Sequence, residues 1–283
     1  MNPKRYYDLN TYFRARYGGR VHKITVDAGF TCPTRDGHLS REGCIYCNKR
    51  GSGTGQHRQG LSVRQQLERS RAPVIKRFKT ERFLAYFQAY TNTYAPVVRL
   101  KEVYDEALAV EGVVGLAVGT RPDCVDAEKI DLLARYARDH LVWVEYGLQS
   151  AHDVTLARIN RGHDFAAFQR AVEMTRGRGI QICAHLILGL PGESAEMMRR
   201  SAERVAQMGL DGVKLHLLYV VKGTALDDRY QAGGYRCLDR NAYADLVCDV
   251  LERLPQNMVI QRLTGDPHPA ELRAPHWALD KKA

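Results

Sequence analysis

Short apolar runs rich in β-branched and aromatic residues alternate along this chain with longer stretches whose apolar residues recur at helical spacing. The runs predict strands over residues 23–28, 83–90, 113–120, 142–148, 180–188, 213–220 and 258–263. Several intervening stretches carry helix-start signals. Asp126 opens VDAEKIDLLARYARDH, Asp164 opens HDFAAFQRAVEMTRGRG, and Ser194 opens the helix in ESAEMMRRSAERVAQMGLDG. Each places a side-chain oxygen where the first helical turn leaves backbone N–H groups unpaired. This alternation is the rhythm of βα units on a parallel sheet, and the units lack the self-similarity of a solenoid.

Six or so units do not fill a closed eight-stranded barrel of this kind. The pattern therefore predicts an α/β fold, a partial, open TIM-like (β/α)6 barrel. A basic N-terminal extension is expected over residues 1–21, the core barrel over 22–235, and a C-terminal helix, strand and tail packed on it over 236–283. In such folds ligands bind beyond the carboxyl ends of the strands. The residues there are polar or glycine-rich: a cysteine loop after the first strand, then FQAYTNTYAP, VGTRPDCV, VEYGLQSAHD, HLILGLPGES and VKLHLLYVVKGTAL. Any one of these reads as a capping turn. So many in phase with the strands point to a site.

The cysteine loop, FTCPTRDGHLSREGCIYCNK, carries Cys32, Cys44 and Cys47, with eleven residues between the first two. The intervening PTRDGHLSREG is polar and turn-rich, so these are loop cysteines and not core ones. Two readings stand. A zinc knuckle would need a fourth ligand such as His38 or His57. An iron–sulfur cluster held by three thiolates would leave one iron open, where an electron carrier has four protein ligands. The other four cysteines, Cys124, Cys183, Cys237 and Cys248, are scattered, and an odd total of seven argues for a reducing, cytoplasmic compartment. Cys237 and Cys248 lie eleven apart, close to three helical turns, which would put them on one helix face.

The start, MNPKRYYDLNTYFRARYGG, is unlike a signal peptide, and no apolar run approaches the ~20 residues that span a bilayer. Net charge is +10, with the excess concentrated at Arg14, Arg16, Arg20 and Lys23 and from Arg58 to Arg82. That balance fits a polyanionic partner, or else ordinary solvated helix faces.

GTRPD, EYGLQS and LGLPGE, following three cysteines with Tyr46 just before the last, resemble the radical S-adenosylmethionine enzymes of the Elongator catalytic branch. The opening YYDLNTYFRARYGGRVHKITVDAGFTCPTRDG, FQAYTNTYAP, and the closing QRLTGD and APHW resemble a bacterial family of that branch labelled YhcC/YtqA. The likeness runs from Tyr7 to Lys282. The eleven-residue spacing departs from the commoner spacing of three.

The resemblance implies a [4Fe–4S] cluster on Cys32, Cys44 and Cys47, whose open iron chelates the amino and carboxylate groups of S-adenosyl-L-methionine. Reduction by one electron would cleave the sulfonium, and the 5′-deoxyadenosyl radical so formed would abstract a hydrogen atom from the substrate. Tyr46, Gln88, Thr91, Asn92 and Gln149 would contact the cofactor. Arg161, or Arg158, would hold its carboxylate in a bidentate fork. Gly189 and Gly192 would let the backbone approach the adenine, unless they only form a strand-to-helix turn capped by Ser194. Glu145 would sit near the reacting centre or act as a structural hydrogen-bonding group. Lys214 and His216, two apart on strand six, would face the substrate unless that strand is an edge.

The implied partners are tRNA, modified at the C5 substituent of the wobble uridine, and a reductant protein such as flavodoxin or ferredoxin. No membrane is expected. The basic N-terminal arm and the 58–82 segment would supply phosphate contacts. Because the chain ends at Ala283, the acetyltransferase domain of the Elongator subunit has no room, which implies different chemistry at the wobble base, such as trimming an existing side chain. A radical enzyme acting on a small molecule or peptide remains open, as does a non-enzymatic zinc- or RNA-binding protein. The tail over 264–283 reads as a lid or as a surface segment anchored by Trp277.

Overall fold

The computed structural model describes residues 5–51 and 53–280. Residues 1–4 of the expected N-terminal extension and 281–283 of the expected tail lie outside the described residues. Seven strands form one wholly parallel sheet: β1 (His22–Val26), β2 (Phe83–Phe87), β3 (Val113–Thr120), β4 (Leu141–Gln149), β5 (Gln181–Leu188), β6 (Gly212–Leu217) and β8 (Val259–Arg262). They lie in chain order. Each crossover carries a helix: α2 (Val63–Phe78), α3 (Val97–Leu108), α4 (Ala127–Tyr136), α6 (Phe165–Thr175), α7 (Ala195–Gln207) and α9 (Arg240–Glu252). The caps read from the sequence are present. Asp126, Asp164 and Ser194 accept from the backbone N–H groups of Lys129, Ala167 and Met197. The architecture is the expected open, partial barrel.

The two-residue period of the strands separates two layers. Outward residues such as Ile24, Phe87, Leu116, Val144 and Leu186 pack with the helices in the main core. Inward residues near the strand starts, Leu84, Ala117, Trp143 and Val259, form a second cluster, which is closed by α1 (Leu9–Tyr17) through Tyr12 and Phe13. The Tyr12 ring meets Trp143 edge-on at 5.5 Å. Asp8 caps α1, and the Ile260 N–H donates to the Tyr7 carbonyl at 2.8 Å. The residues ahead of β1 thus plug the end of the half-barrel away from the strands' carboxyl termini.

Three sequence expectations shift. The second strand stops at Phe87, short of residue 90, and Tyr90 takes a left-handed φ of +59° that no strand continues through. The sixth stops at Leu217. There the chain turns out of the sheet, and Val220–Val221 (β7) pairs antiparallel with Leu272–Ala274 (β9). Cys237 precedes α9 and Cys248 is exposed on it, so they share no helix face.

The tail has two roles: Trp277 packs on Tyr243 and donates to the Leu238 carbonyl at 3.1 Å, while Asp266, His268 and Glu271 line a cavity. Two short helices, α5 (Asp153–Arg158) and α8 (Ala225–Gln231), complete the fold.

Gly115 lies where a Cβ would stand 1.9 Å from the Leu141 carbonyl oxygen, so strand β4 leaves it no room. Gly115→Ala should cost about 3 kcal/mol of stability, measured by denaturant unfolding, as overpacking against backbone does.

Candidate active site

At the carboxyl ends of the strands lies a cavity of about 500 Å³. Cys32, Cys44 and Cys47 all line it. Their loop explains how an eleven-residue separation delivers them to one place. The Gly43 N–H donates to the Thr34 carbonyl at 2.8 Å, and the N–H groups of Leu39 and Gly37 bond to Pro33 and Ser40. The intervening residues are thereby folded out as a self-closed excursion, and Cys32 and Cys44 flank its neck. Gly43 (φ +74°) lies under the Arg35 guanidinium, which in turn donates to the carbonyls of Cys47 and Asn48 at 2.7 and 2.9 Å. Asn160 donates to the Gly43 carbonyl at 2.7 Å, fastening the loop to the turn after α5.

The surroundings favour charged sulfur. Thr91 Oγ1 donates to Cys32 Sγ at 3.3 Å, and Arg161 Nη1 donates to Cys44 Sγ at 3.6 Å. Burial opposes ionisation of Cys32, but hydrogen bonds from Thr34 and Thr91 outweigh it and bring the thiol below its ordinary range. Burial and the neighbouring Cys44 push Cys47 up to about 11, against the pull of Arg35. A cluster's positive irons would reverse that.

Among the described residues no group of three or more His, Cys, Asp or Glu is placed to hold one metal ion. His38 faces Tyr94 and His57 covers Gly29, and neither lines the cavity. Neither histidine expected as a fourth zinc donor reaches the cavity, whereas three thiols lining it fit a multi-iron cluster. Cys124 and Cys183 are buried off the cavity, and burial raises the Cys124 thiol to about 12.

Of the other sequence-predicted residues, Tyr46, Gln88, Thr91, Gln149, Arg161, Glu145 and His216 line the cavity. Three do not. Asn92 is buried and donates to the Phe87 and Gly119 carbonyls at 3.0 and 2.8 Å, so it ties the ends of β2 and β3 together. Gly189 is covered by Leu238 and Tyr235, whose hydroxyl donates to the Gly189 carbonyl. Gly192 is covered by Arg158. The turn after β5 is thus sealed by side chains from α5 and from the segment ahead of α9. Arg161 is no free fork either, since Nε and Nη2 both donate to the Gly147 carbonyl, at 3.1 and 2.6 Å. Arg158 is exposed and donates to the Pro191 carbonyl.

Beneath the cavity lies a polar network that sequence reasoning only touched. Glu145 is fully buried on β4. It accepts from Lys214 Nζ at 2.6 Å, from Lys23 on β1, and contacts His185 Nε2 at 2.9 Å. Lys214 also donates to the Tyr86 hydroxyl at 2.9 Å, and Lys23 to Gln261 Oε1 at 2.5 Å. Strand β6 lies between β5 and β8, so Lys214 and His216 face the interior and not solvent.

Burial opposes the charge on Glu145, but Lys214 and Lys23 overcome it and hold the carboxyl well below its usual range. Burial lowers Lys23 to about 8 despite Glu145, and burial with Lys214 lowers His185 to about 4. Lys23 and His185 occupy inward positions of β1 and β5. The period-two argument used for strand six would have found both.

Glu145→Ala leaves two buried ammonium groups without their anion and should cost about 3–5 kcal/mol, read by denaturant unfolding. His185 binds fewer protons folded than unfolded between pH 6.5 and 4. Stability is therefore lost as pH falls through that window. His185→Gln should flatten this dependence by about 3 kcal/mol at its acid end.

Two family models match the chain: "Radical SAM superfamily" over residues 39–205 and "Radical_SAM C-terminal domain" over residues 210–283. YtqA of Bacillus subtilis is 40% identical over 279 residues, covering 98% of this chain and 86% of that protein. YhcC of Escherichia coli is 43% identical over 267 residues, 94% of this chain and 85% of that protein. A tRNA uridine(34) acetyltransferase of Dehalococcoides mccartyi is 28% identical over 156 residues, covering 54% of this chain and 33% of that protein. Among solved structures, the archaeal Methanocaldococcus infernus Elp3 shares the fold with a TM-score of 0.69 at 17% identity. The likeness covers 89% of this chain and 58% of that one.

Proposed function

The chain belongs to the radical SAM superfamily, and within its Elongator-like branch to the YhcC/YtqA-type family; on that premise we propose that Cys32, Cys44 and Cys47 hold its [4Fe–4S] cluster and that the enzyme modifies the C5 substituent of a wobble uridine in tRNA. The observation that carries the cluster assignment is three thiols lining one cavity, with hydrogen-bond donors aimed at two of them. When bound, the cluster and S-adenosylmethionine supply a 5′-deoxyadenosyl radical by one-electron cleavage of the sulfonium.

The protein's part is to hold, orient and exclude water. Thr91 and Arg161 donate to the thiolates and Arg35 fixes their loop. Tyr46, Gln88 and Gln149 face the cofactor's space. The buried Glu145 network forms the base of the cavity, with His185 and His216 on its surface and Lys214 beneath them. A reductant such as flavodoxin or ferredoxin would approach from the rim.

Support for a tRNA substrate is the wobble-uridine enzyme among the relatives and the positive surface. The basic residues divide between two faces. Arg20, His22, Arg77 and Phe78 cluster at the start of β1, on the plugged end, with Arg77 5.1 Å from the Phe78 ring and His22 stacked on it at 3.9 Å. They are too remote from the cavity to guide a base into it. Lys49 and Arg58, exposed beside Tyr90 on the cavity rim, suit phosphate contacts better. This revises the expectation that the whole 58–82 segment meets RNA.

Cys44→Ala should lose the iron–sulfur colour and about four irons per chain and release no 5′-deoxyadenosine under reducing, anaerobic conditions. Retention of both would sink the ligand assignment. For the substrate, bulk tRNA from cells lacking this chain is incubated with reconstituted enzyme and its nucleosides are resolved by mass spectrometry. A mass change confined to wobble uridine is expected. Unchanged tRNA with active cofactor cleavage would favour a small-molecule or peptide substrate. Lys49→Ala with Arg58→Ala should raise KM for tRNA and flatten its salt dependence.

A further inference from the structure

The seventh strand carries an irregularity with a chemical consequence. In β8, Ile260 pairs with Val213 and both belong to the outer core, yet the next pairing joins Lys214 to Arg262 and skips Gln261. In a regular strand Gln261 and Arg262 would point to opposite faces. Here Gln261 bonds to Lys23 inside the half-barrel, and Arg262 also lines the cavity. The bulge therefore turns two consecutive side chains inward, a device found at barrel rims and beside active sites.

Arg262 arrives there uncompensated. Among the described residues it makes no hydrogen bond and no ion pair. Glu145 is already shared by Lys23, Lys214 and His185, and Glu271 is held by Asn48 and Arg50. Asp266 lines the same wall and acts, like Arg262, on the Tyr219 hydroxyl. His216, which feels the Arg262 charge, also lines the cavity, and its Nε2 is buried with no hydrogen-bond partner. A guanidinium and an unsatisfied imidazole nitrogen on one wall make a donor set for an oxyanion.

We propose that Arg262 and His216 form a subsite that binds an anionic group of the substrate, a carboxylate or a phosphate, and so set which substrates enter the cavity. The assignment to substrate rests on the radical-enzyme reading, in which the carboxylate of S-adenosylmethionine is taken by the open iron. The group enters from the cavity mouth, is desolvated, and meets the guanidinium in place of water. Lys23 and Lys214 deepen the positive field behind it. Glu145 is shared by both lysines.

Reconstituted enzyme carrying cluster and S-adenosylmethionine is titrated calorimetrically with malonate and, separately, with inorganic phosphate. The same titrations are run on Arg262→Gln, which removes no hydrogen bond or ion pair among the described residues, and on Arg262→Lys. The wild type should bind at least one anion, Arg262→Gln should lose at least tenfold in affinity, and Arg262→Lys should recover part of it. Preference for malonate assigns a carboxylate, and preference for phosphate a phosphate ester. If the wild type binds neither, or Arg262→Gln binds as the wild type does, the subsite is wrong. Iron content and 5′-deoxyadenosine release are measured on the same wild-type sample. Their absence would sink the radical-enzyme reading, whereas their presence without anion binding would sink the subsite alone.

Discussion

A fully buried carboxylate organises the interior of this half-barrel. Glu145 draws Lys23 from β1, His185 from β5 and Lys214 from β6 onto one side chain. Lys23 reaches on to Gln261 of β8, so the first and last strands of an open sheet are linked through its polar centre. Desolvating such an anion is costly, and the arrangement stands only because cationic and hydrogen-bonding partners surround it. Below this level the inward residues turn apolar and α1 closes the end; above it lies the cavity. The network is therefore the boundary between a packed plug and a chemical site.

The cysteine loop is a second constraint, solved locally. A single backbone bond from Gly43 to Thr34 makes most of the long intervening segment irrelevant to the position of the thiols. Arg35 and Asn160 then hold the neck from two sides. The C-terminal segment reaches the same region, where Glu271 takes a hydrogen bond from Asn48 at 2.9 Å and pairs with Arg50. Both extremes of the sheet thus converge on the mouth of the cavity.

Much of this was legible in the sequence, because parallel strands buried on both faces read as apolar runs and their helices carry Asp and Ser caps. The polar strand ends marked the right end of the barrel. What stayed hidden depends on contacts between distant segments. Asn92 looks like a ligand-facing amide until the carbonyls of Phe87 and Gly119 claim it. Gly189 and Gly192 look like a ring-binding turn until Leu238 and Arg158 cover them. Arg262 sits one residue out of phase with the face it serves, and only the bulge in β8 corrects its direction. Charge along the chain was equally misleading, since one helix carries basic residues from the cavity rim to the plugged end.

The most direct test of the central claim, a cluster with three protein thiolates and one open iron, is Mössbauer spectroscopy of enzyme reconstituted with iron-57 and sulfide. Adding S-adenosylmethionine should change the signal of one iron in about four and leave the others as they were. A spectrum that does not respond to S-adenosylmethionine would mean that every iron already has a protein ligand. A colourless protein carrying zinc would contradict the account altogether.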